Sequence, residues 1–194
     1  MRTISRINGI GAFILISLAL LFSGCATNIK TDVKANPPPG EPFANFQRFE
    51  LRDLTVAQQY DVPANRDAAA KLDAGLKTKV GGILELWNQE PRGAGRVLVV
   101  EPILEQVKVV STAKRIWGGA FGGSSAVVLK MRYTDQASGQ VIADPTFYQH
   151  AKALAAAYTF GVADKAMLTR LPELVSNYTT ANYREAIGGP SGSP

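Results

Sequence analysis

The clearest pattern of apolar and polar positions in the chain lies between residues 126 and 134. Every second residue is apolar there, and three of the intervening positions are Lys130, Arg132 and Thr134. A two-residue period of this kind predicts a β-strand with one buried face. The turn-forming segment Asp135–Gly139 follows, and apolar positions resume at Val141. We therefore expect a hairpin whose second strand runs from Val141 to about Lys152, interrupted at Asp144-Pro145.

Two other segments predict strands. Residues 46–54 alternate in part, and residues 96–110 begin with a continuous apolar run, as in a buried central strand. Pro102 cannot donate a backbone hydrogen bond, so we expect an edge position or a bulge at that residue.

Two segments repeat apolar residues at helical spacing. The first runs from about Arg66 to Gln89 behind Asn65, a plausible N-cap, and its apolar stripe consists of Leu72, Leu76, Val80, Ile83 and Trp87. The Gly81-Gly82 pair predicts either a kink in this helix or close packing of the helix against the sheet. The second segment runs from about Asp164 to Glu185, where Pro172 should either kink the helix or confine it to the residues that follow.

The predicted element order is β, α, β, β, β, α. This order favours an α+β fold: a two-layer α/β sandwich with a mostly antiparallel sheet of about four strands and both helices on one face. We place this domain at residues 43–187. Residues 25–42 contain Pro37-Pro38-Pro39 and predict an extended tether, and residues 188–194 predict a disordered tail.

The N-terminus has the features of an export signal. Arg2 and Arg6 precede a nearly continuous apolar run of thirteen residues, which would span only about 20 Å as a helix, less than a bilayer core. The run ends at Leu21-Phe22-Ser23-Gly24-Cys25, which resembles the lipobox of bacterial lipoproteins. The resemblance implies cleavage after residue 24 and acylation of Cys25. With Ala26 in place of Asp, it also implies sorting to the outer membrane, with the domain facing the periplasm.

Charge and composition exclude several kinds of chemistry. The chain has one Cys and one His, so an intrachain disulfide cannot form and a Cys/His zinc cluster is not expected. Cleavage of the signal removes two arginines and lowers the formal net charge from +5 to +3, a value that gives no reason to expect nucleic-acid binding. We predict no cofactor and no metal.

A glycine-rich segment, residues 117–125, is the best candidate contact loop. One interpretation is a flexible connection between two strands. The other is a mobile loop that presents Trp117 and Phe121 to a partner or a lipid surface, beside the basic residues Lys114 and Arg115. A nucleotide site is not expected, because no Lys-Ser/Thr pair and no helix follow the glycines.

The remaining chemical groups favour structural roles. His150 is a lone histidine on a predicted strand, and Ser124-Ser125 lacks a nucleophile-elbow pattern. A glycosidase would need two carboxylates facing each other across a cleft. Turns and caps already account for Asp135, Asp144 and Asp164, and we assign no catalytic role to Asp53, Glu101 or Glu173. We therefore predict no catalytic residue.

Residues 96 to about 143 resemble an uncharacterised family of bacterial envelope lipoproteins, the domain of unknown function 4410 family. The resemblance is carried by Lys114-Arg115-Ile116-Trp117, by Ser124-Ser125-Ala126-Val127-Val128 and by the segment 134–143. It implies no catalytic residues.

These observations support three hypotheses of different classes. The first is a non-enzymatic accessory lipoprotein, anchored in the membrane through Cys25, that binds an envelope protein partner or assembles with itself. The second is a protein that binds a small envelope ligand, either a lipid or a glycan. The third, more remote, is a cell-wall hydrolase.

Overall fold

The computed structural model describes residues 35–90, 95–109, 125–151 and 162–192. The strands are β1 (Ala35–Asn36), β2 (Arg48–Leu51), β3 (Thr55–Val56), β4 (Val97–Lys108), β5 (Ser125–Asp135), β6 (Val141–Ala143), β7 (Thr146–Ala151) and β8 (Gly189–Pro190). The helices are α1 (Arg66–Leu76), α2 (Gly82–Asn88) and α3 (Val162–Ala181), with short 3₁₀ turns at Phe43–Asn45, Gln58–Tyr60 and Pro63–Asn65. Residues 117–124 of the glycine-rich segment and Cys25 lie outside the described residues.

The main sheet is mixed and open. β4 and β5 form its centre as a long antiparallel pair, and β6 and β7 follow one another along the far side of β5. β2 and β3 run parallel to β4 on its other side. The predicted α+β sandwich is confirmed, with two amendments: the sheet has six strands in the described residues instead of about four, and two of them run parallel to β4. β2 and β4 are parallel because the intervening helical stretch returns the chain to the same end of the sheet.

The first predicted helix is one helical stretch with a wide turn inside it. α1 continues into a π-helical turn at Lys77–Gly81 and then into α2. The predicted irregularity at Gly81-Gly82 therefore takes the form of a π-turn, a common way to insert a residue into a helix. Of the predicted stripe, Leu72, Leu76 and Val80 are buried, whereas Ile83 and Trp87 are only partly buried. After the π-turn the inward position falls on Leu84 instead of Ile83, because the extra residue shifts the helical phase.

Both helical stretches bury their stripes against the same side of the sheet. The core joins them to inward-facing sheet residues, among them Leu98, Val100, Leu129 and Phe147. Tyr133, near the end of β5, stacks on Phe43 with ring centroids 4.8 Å apart. The two-layer arrangement thus follows from one apolar face on the sheet and one on each helical stretch.

Pro102 lies in the central strand, and neither an edge position nor a bulge accommodates it. The register of the β4–β5 pair shifts further along, between Leu104 and Gln106. The Pro102 carbonyl accepts a hydrogen bond from the Thr55 hydroxyl, so the backbone of this residue points toward the gap between β2 and β3. The missing N–H is tolerated because the parallel neighbour is interrupted there.

Pro172 lies inside α3, so the helix is not confined to the residues after it. Pro172 is buried and faces Gly75 of α1. A Cβ atom at position 75 would lie 2.8 Å from Pro172 Cγ, so the two helices approach this closely only because residue 75 is glycine.

The two ends of the domain differ from the expected tether and tail. Ala35–Asn36 pairs antiparallel with Gly189–Pro190, which makes residues 35–42 and 188–192 part of the folded unit. The buried side chain of Asn182 holds the turn at Gly188 by accepting from the N–H groups of Ile187 and Gly188 and by donating to the Gly188 carbonyl. The prediction of disorder for residues 188–192 is therefore wrong, because these residues gain their order from contacts that lie far away in the sequence.

Candidate functional site

A groove of about 450 Å³ lies between α1 and α3, beside the contact of Gly75 with Pro172. Leu168 and Pro172 of α3 line it on one side, and Ala74 and Gly75 of α1 line it on the other. Its volume is in the range of small-molecule sites in proteins. Its lining is mostly apolar, which suits a hydrocarbon ligand better than a strongly hydrated one.

Three lysines surround this groove. Lys71 belongs to α1, Lys79 to the π-helical turn and Lys165 to α3. All three are exposed, and none of the nine lining residues is acidic. Lys71 forms an ion pair with Asp67 one turn earlier. Lys79 and Lys165 form no ion pair with any described residue, so their charges are available to an anion.

The two threonines of the groove are already occupied by their own helices. The Thr78 hydroxyl donates to the Ala74 carbonyl, and the Thr169 hydroxyl donates to the Lys165 carbonyl. Hydrogen-bond donors that remain for a ligand are therefore mainly the lysine ammonium groups. A ligand with many hydroxyl groups would find few partners here.

The second candidate surface is the sheet face opposite the helices, which we call the outer face. In the described part of the chain no helix covers it. Its apolar positions include Val99, Ile103 and Val141, and Val141 is 50% exposed. Charged residues lie among them, with Glu101 directly opposite Arg132 and Lys130 in an ion pair with Asp144 at 2.7 Å.

An arginine bridge joins three separate parts of the fold. Arg96 donates two hydrogen bonds to the Glu41 carboxylate, at 2.7 and 2.9 Å, and one from Nε to Asp135 at 2.7 Å. Its guanidinium also lies 4.3 Å from the centre of the Phe46 ring. The Arg96 hydrogen bonds hold the pKa values of both Glu41 and Asp135 below their ordinary range. The bridge ties the N-terminal segment to β4 and to the β5–β6 turn, which is a structural role.

Three of the six carboxylates singled out in the sequence form ion pairs with basic side chains. Asp53 forms an ion pair with Lys77 at 2.8 Å, and Asp144 pairs with Lys130. Asp135 also accepts from the N–H groups of Ala137 and Ser138, which is the turn role expected of it. Glu173 is exposed on α3, and the side chain of Asp164 lies outside the described residues.

His150 is exposed on the outer face, where its ring stacks on that of Tyr148 at 5.6 Å. Ser125 is buried as the first residue of β5. Cys25 and the loop residues Lys114, Arg115, Trp117 and Phe121 lie outside the described residues, so lipidation and the contact loop remain predictions. Among the described side chains, no group of three or more His, Cys, Asp or Glu residues could hold a metal ion.

None of the helices in the described ranges is both long and apolar enough to cross a bilayer. No protein-family model matches the chain, so the resemblance to the domain of unknown function 4410 family stays a prediction. No curated protein matches the chain either.

Several solved structures resemble the fold distantly. A PelC variant from Paraburkholderia phytofirmans, solved as a dodecamer, matches 78% of this chain and 97% of its own, with 12% identity and a TM-score of 0.40. A domain of unknown function 330 protein from Xanthomonas campestris matches 76% and 92%, with 15% identity and a TM-score of 0.41. A candidate lipoprotein from Caulobacter crescentus matches 73% and 88%, with 9% identity and a TM-score of 0.32. All three TM-scores are below 0.5, so no argument about the function of this chain rests on these structures.

Sequence reasoning missed the groove. Its lysines lie at solvent-facing positions of two helices that are almost ninety residues apart, and lysines at such positions are common on any helix. The one local signal was Gly75, a glycine in the interior of the helix that opposes Pro172 in the structure.

Proposed function

We propose that the protein is a non-enzymatic accessory lipoprotein of the cell envelope, anchored through Cys25, whose outer face binds a protein partner or a second copy of the chain. The binding role is supported by the composition of the outer face. It is one side of a sheet whose other side carries the helices, and it combines the exposed Val141 and the half-buried Ile103 with charges of both signs.

The pattern of the outer face suits protein association. Val141 is 50% exposed and Ile103 is half-buried, and Ile103 lies directly opposite Lys130, which forms an ion pair with Asp144. Interfaces commonly combine an apolar centre with a polar surround. Because acidic and basic groups are both present, the same surface could complement another copy related by two-fold symmetry.

The short segment between Cys25 and β1 supports a position of the domain close to the membrane. β1 begins at Ala35, ten residues after Cys25. Covalent geometry limits the span from Cys25 to Ala35 to about 36 Å. A lipid on Cys25 would therefore keep the domain within roughly its own diameter of the bilayer, and several acyl chains would hold it there stably.

The experiment is crosslinked affinity purification of the full-length protein from membranes. It compares the wild type with Cys25→Ala and with an outer-face variant, Ile103→Thr/Val141→Asp. We expect Cys25→Ala to leave the membrane fraction. We expect the outer-face variant to stay in membranes but to lose a crosslinked partner or a self-crosslink.

A matched control is Leu86→Asp, which places the same charge on an exposed apolar residue of α2, away from the sheet. It should retain the crosslinked species. A Cys25→Ala protein that remains in membranes would contradict the anchor. Crosslinks that persist in the outer-face variant, or that are lost equally in Leu86→Asp, would contradict binding through the outer face.

A further inference from the structure

The groove between α1 and α3 combines a mostly apolar lining with two lysines, Lys79 and Lys165, that form no ion pair with any described residue. We infer that it binds one acyl chain of an anionic phospholipid, with the phosphate held by Lys79 and Lys165. This inference goes beyond the accessory role, and only the proximity to a membrane rests on the proposed anchor.

The apolar part of the groove provides the place for the acyl chain. Leu168, Pro172 and Ala74 present carbon atoms, and Gly75 leaves space where another residue would fill it. Each methylene moved from water into such a lining contributes about 0.8 kcal/mol. At about 450 Å³ the groove can take part of one chain, and it is too small for the several chains of a whole lipid.

The lysines provide the charge complementarity. Lys79 and Lys165 come from opposite walls of the groove, are exposed, and form no ion pair with any described residue. Asp67 engages only Lys71. An ammonium group binds phosphate as a point charge, so a phosphodiester at the mouth of the groove would be attracted from both walls.

A glycan fits the same groove poorly. Sugar hydroxyl groups need many hydrogen-bond partners, yet Thr78 and Thr169 already donate to Ala74 and Lys165 within their helices. A buried hydroxyl without a partner is costly. Of the two ligand classes that the sequence leaves open, the groove therefore favours lipid.

The test uses the mature chain from residue 25 with Cys25→Ser, so that no acyl chain of its own competes and lipidation does not affect the result. Three probes are titrated by calorimetry and by native mass spectrometry: lysophosphatidylglycerol, lysophosphatidylcholine and glycerol 3-phosphate. We expect a 1:1 complex with lysophosphatidylglycerol. We expect about tenfold weaker binding of lysophosphatidylcholine, because its head group has no net charge, and none of glycerol 3-phosphate, because it has no chain.

Two variants locate the site. Lys79→Glu/Lys165→Glu should weaken lysophosphatidylglycerol binding at least tenfold. Arg48→Glu/Arg184→Glu changes the net charge equally at exposed residues outside the groove and should leave binding unchanged. A third variant, Thr169→Trp, fills the groove and should weaken binding of both lysophospholipids. Melting temperatures show that each variant is folded.

Equal affinity of the wild type and Lys79→Glu/Lys165→Glu would overturn the inference. So would an equal loss in Arg48→Glu/Arg184→Glu, which would indicate attraction by the overall charge alone. Binding of glycerol 3-phosphate as tight as that of lysophosphatidylglycerol would overturn the acyl-chain part. None of these outcomes bears on the outer face or on Cys25, so a failure here leaves the accessory role intact.

Discussion

The side-chain amide of Asn36 makes both backbone hydrogen bonds of Thr146. Asn36 Oδ1 accepts from the Thr146 N–H at 2.9 Å, and Asn36 Nδ2 donates to the Thr146 carbonyl at 3.0 Å. The side chain thus replaces a neighbouring strand at the start of β7. Asn88 does the same for Phe49 at the opposite edge of the sheet, with distances of 2.8 and 2.9 Å. Amides at both edges occupy backbone groups that would otherwise recruit another strand, so edge-to-edge pairing is disfavoured at these two residues.

Replacing Asn36 by Ala should destabilise the domain by about 1–3 kcal/mol, because the N–H and carbonyl of Thr146 lose their partners in a largely buried position. Asn36 is only 4% exposed, so water replaces the amide poorly. Urea unfolding at neutral pH measures the effect. Asn177→Ala is the matched control, since Asn177 is exposed on α3 and its loss should change stability by less than about 0.5 kcal/mol. Equal midpoints for the two variants would contradict the role of Asn36.

A second prediction concerns Gly188, which has φ +78° and lies against the N-terminal segment. A Cβ atom there would lie 2.5 Å from the Asn36 carbonyl oxygen. We expect Gly188→Ala to cost about 2–4 kcal/mol from backbone strain and steric overlap together. Gly139 has φ +71° with nothing within 4 Å of its Cβ position, so Gly139→Ala should show only the strain, about 1–2 kcal/mol. Thermal and urea unfolding compare the two, and an equal cost would show that β8 does not pack closely on residue 36.

Local patterns were sufficient for the long elements of this fold. The alternation in β5 and the stripe from Leu72 to Val80 each report one buried face, and both elements occur where they were expected. Alternation does not identify the neighbouring strand, which explains why the parallel pairing of β2 with β4 was not predicted. β1 and β8 have two residues each, contain Asn, Gly and Pro, and are ordered by contacts such as those of Asn36 and Gly188. No local periodicity marks such strands.

The candidate site was even less accessible to sequence reasoning. Lys79 and Lys165 come together only because α1 and α3 approach at Gly75 and Pro172. A helix–helix contact of this kind depends on tertiary packing and leaves no spacing pattern within either helix. The residues that were considered for their side-chain chemistry have structural surroundings instead. His150 is a solvent-exposed histidine stacked on Tyr148, and Asp135 belongs to a turn and to the arginine bridge.

The arginine bridge predicts how stability depends on pH. Hydrogen bonds from Arg96 lower the pKa values of Asp135 and Glu41 in the folded state. The stabilisation is therefore fully present above the unfolded-state values of about 4, and it is lost as the pH falls through the lower folded-state values. Arg96→Gln should unfold at lower urea concentration than the wild type at pH 7, and the difference should shrink steadily below pH 4.

The matched control for this prediction is Arg170→Gln. Arg170 is exposed on α3 and forms no ion pair with a described residue, so its difference from the wild type should be small and independent of pH between 3 and 7. A difference between Arg96→Gln and the wild type that stays constant over this range would mean that the bridge does not hold the two carboxylates in their charged form.

The last prediction concerns a hydrogen bond buried between the sheet and α3. The hydroxyls of Tyr133 and Thr179 lie 2.7 Å apart, and the Thr179 hydroxyl also lies 2.7 Å from the Val175 carbonyl, to which it donates. Tyr133 must then be the donor to Thr179. Tyr133→Phe should lower the free energy of unfolding by about 0.5–1.5 kcal/mol. Thr179→Val should lower it by about 1–3 kcal/mol, because this change leaves the Tyr133 hydroxyl buried without an acceptor.

The double variant Tyr133→Phe/Thr179→Val tests whether the two hydroxyls are coupled. It has no unsatisfied hydroxyl, so its loss of stability should be smaller than the sum of the two single losses by about 1 kcal/mol. Urea unfolding of all four proteins measures this coupling, with Thr180→Val on the exposed side of α3 as the control. Additive costs would show that the two hydroxyls do not share a hydrogen bond, and that α3 is held on the sheet by apolar packing alone.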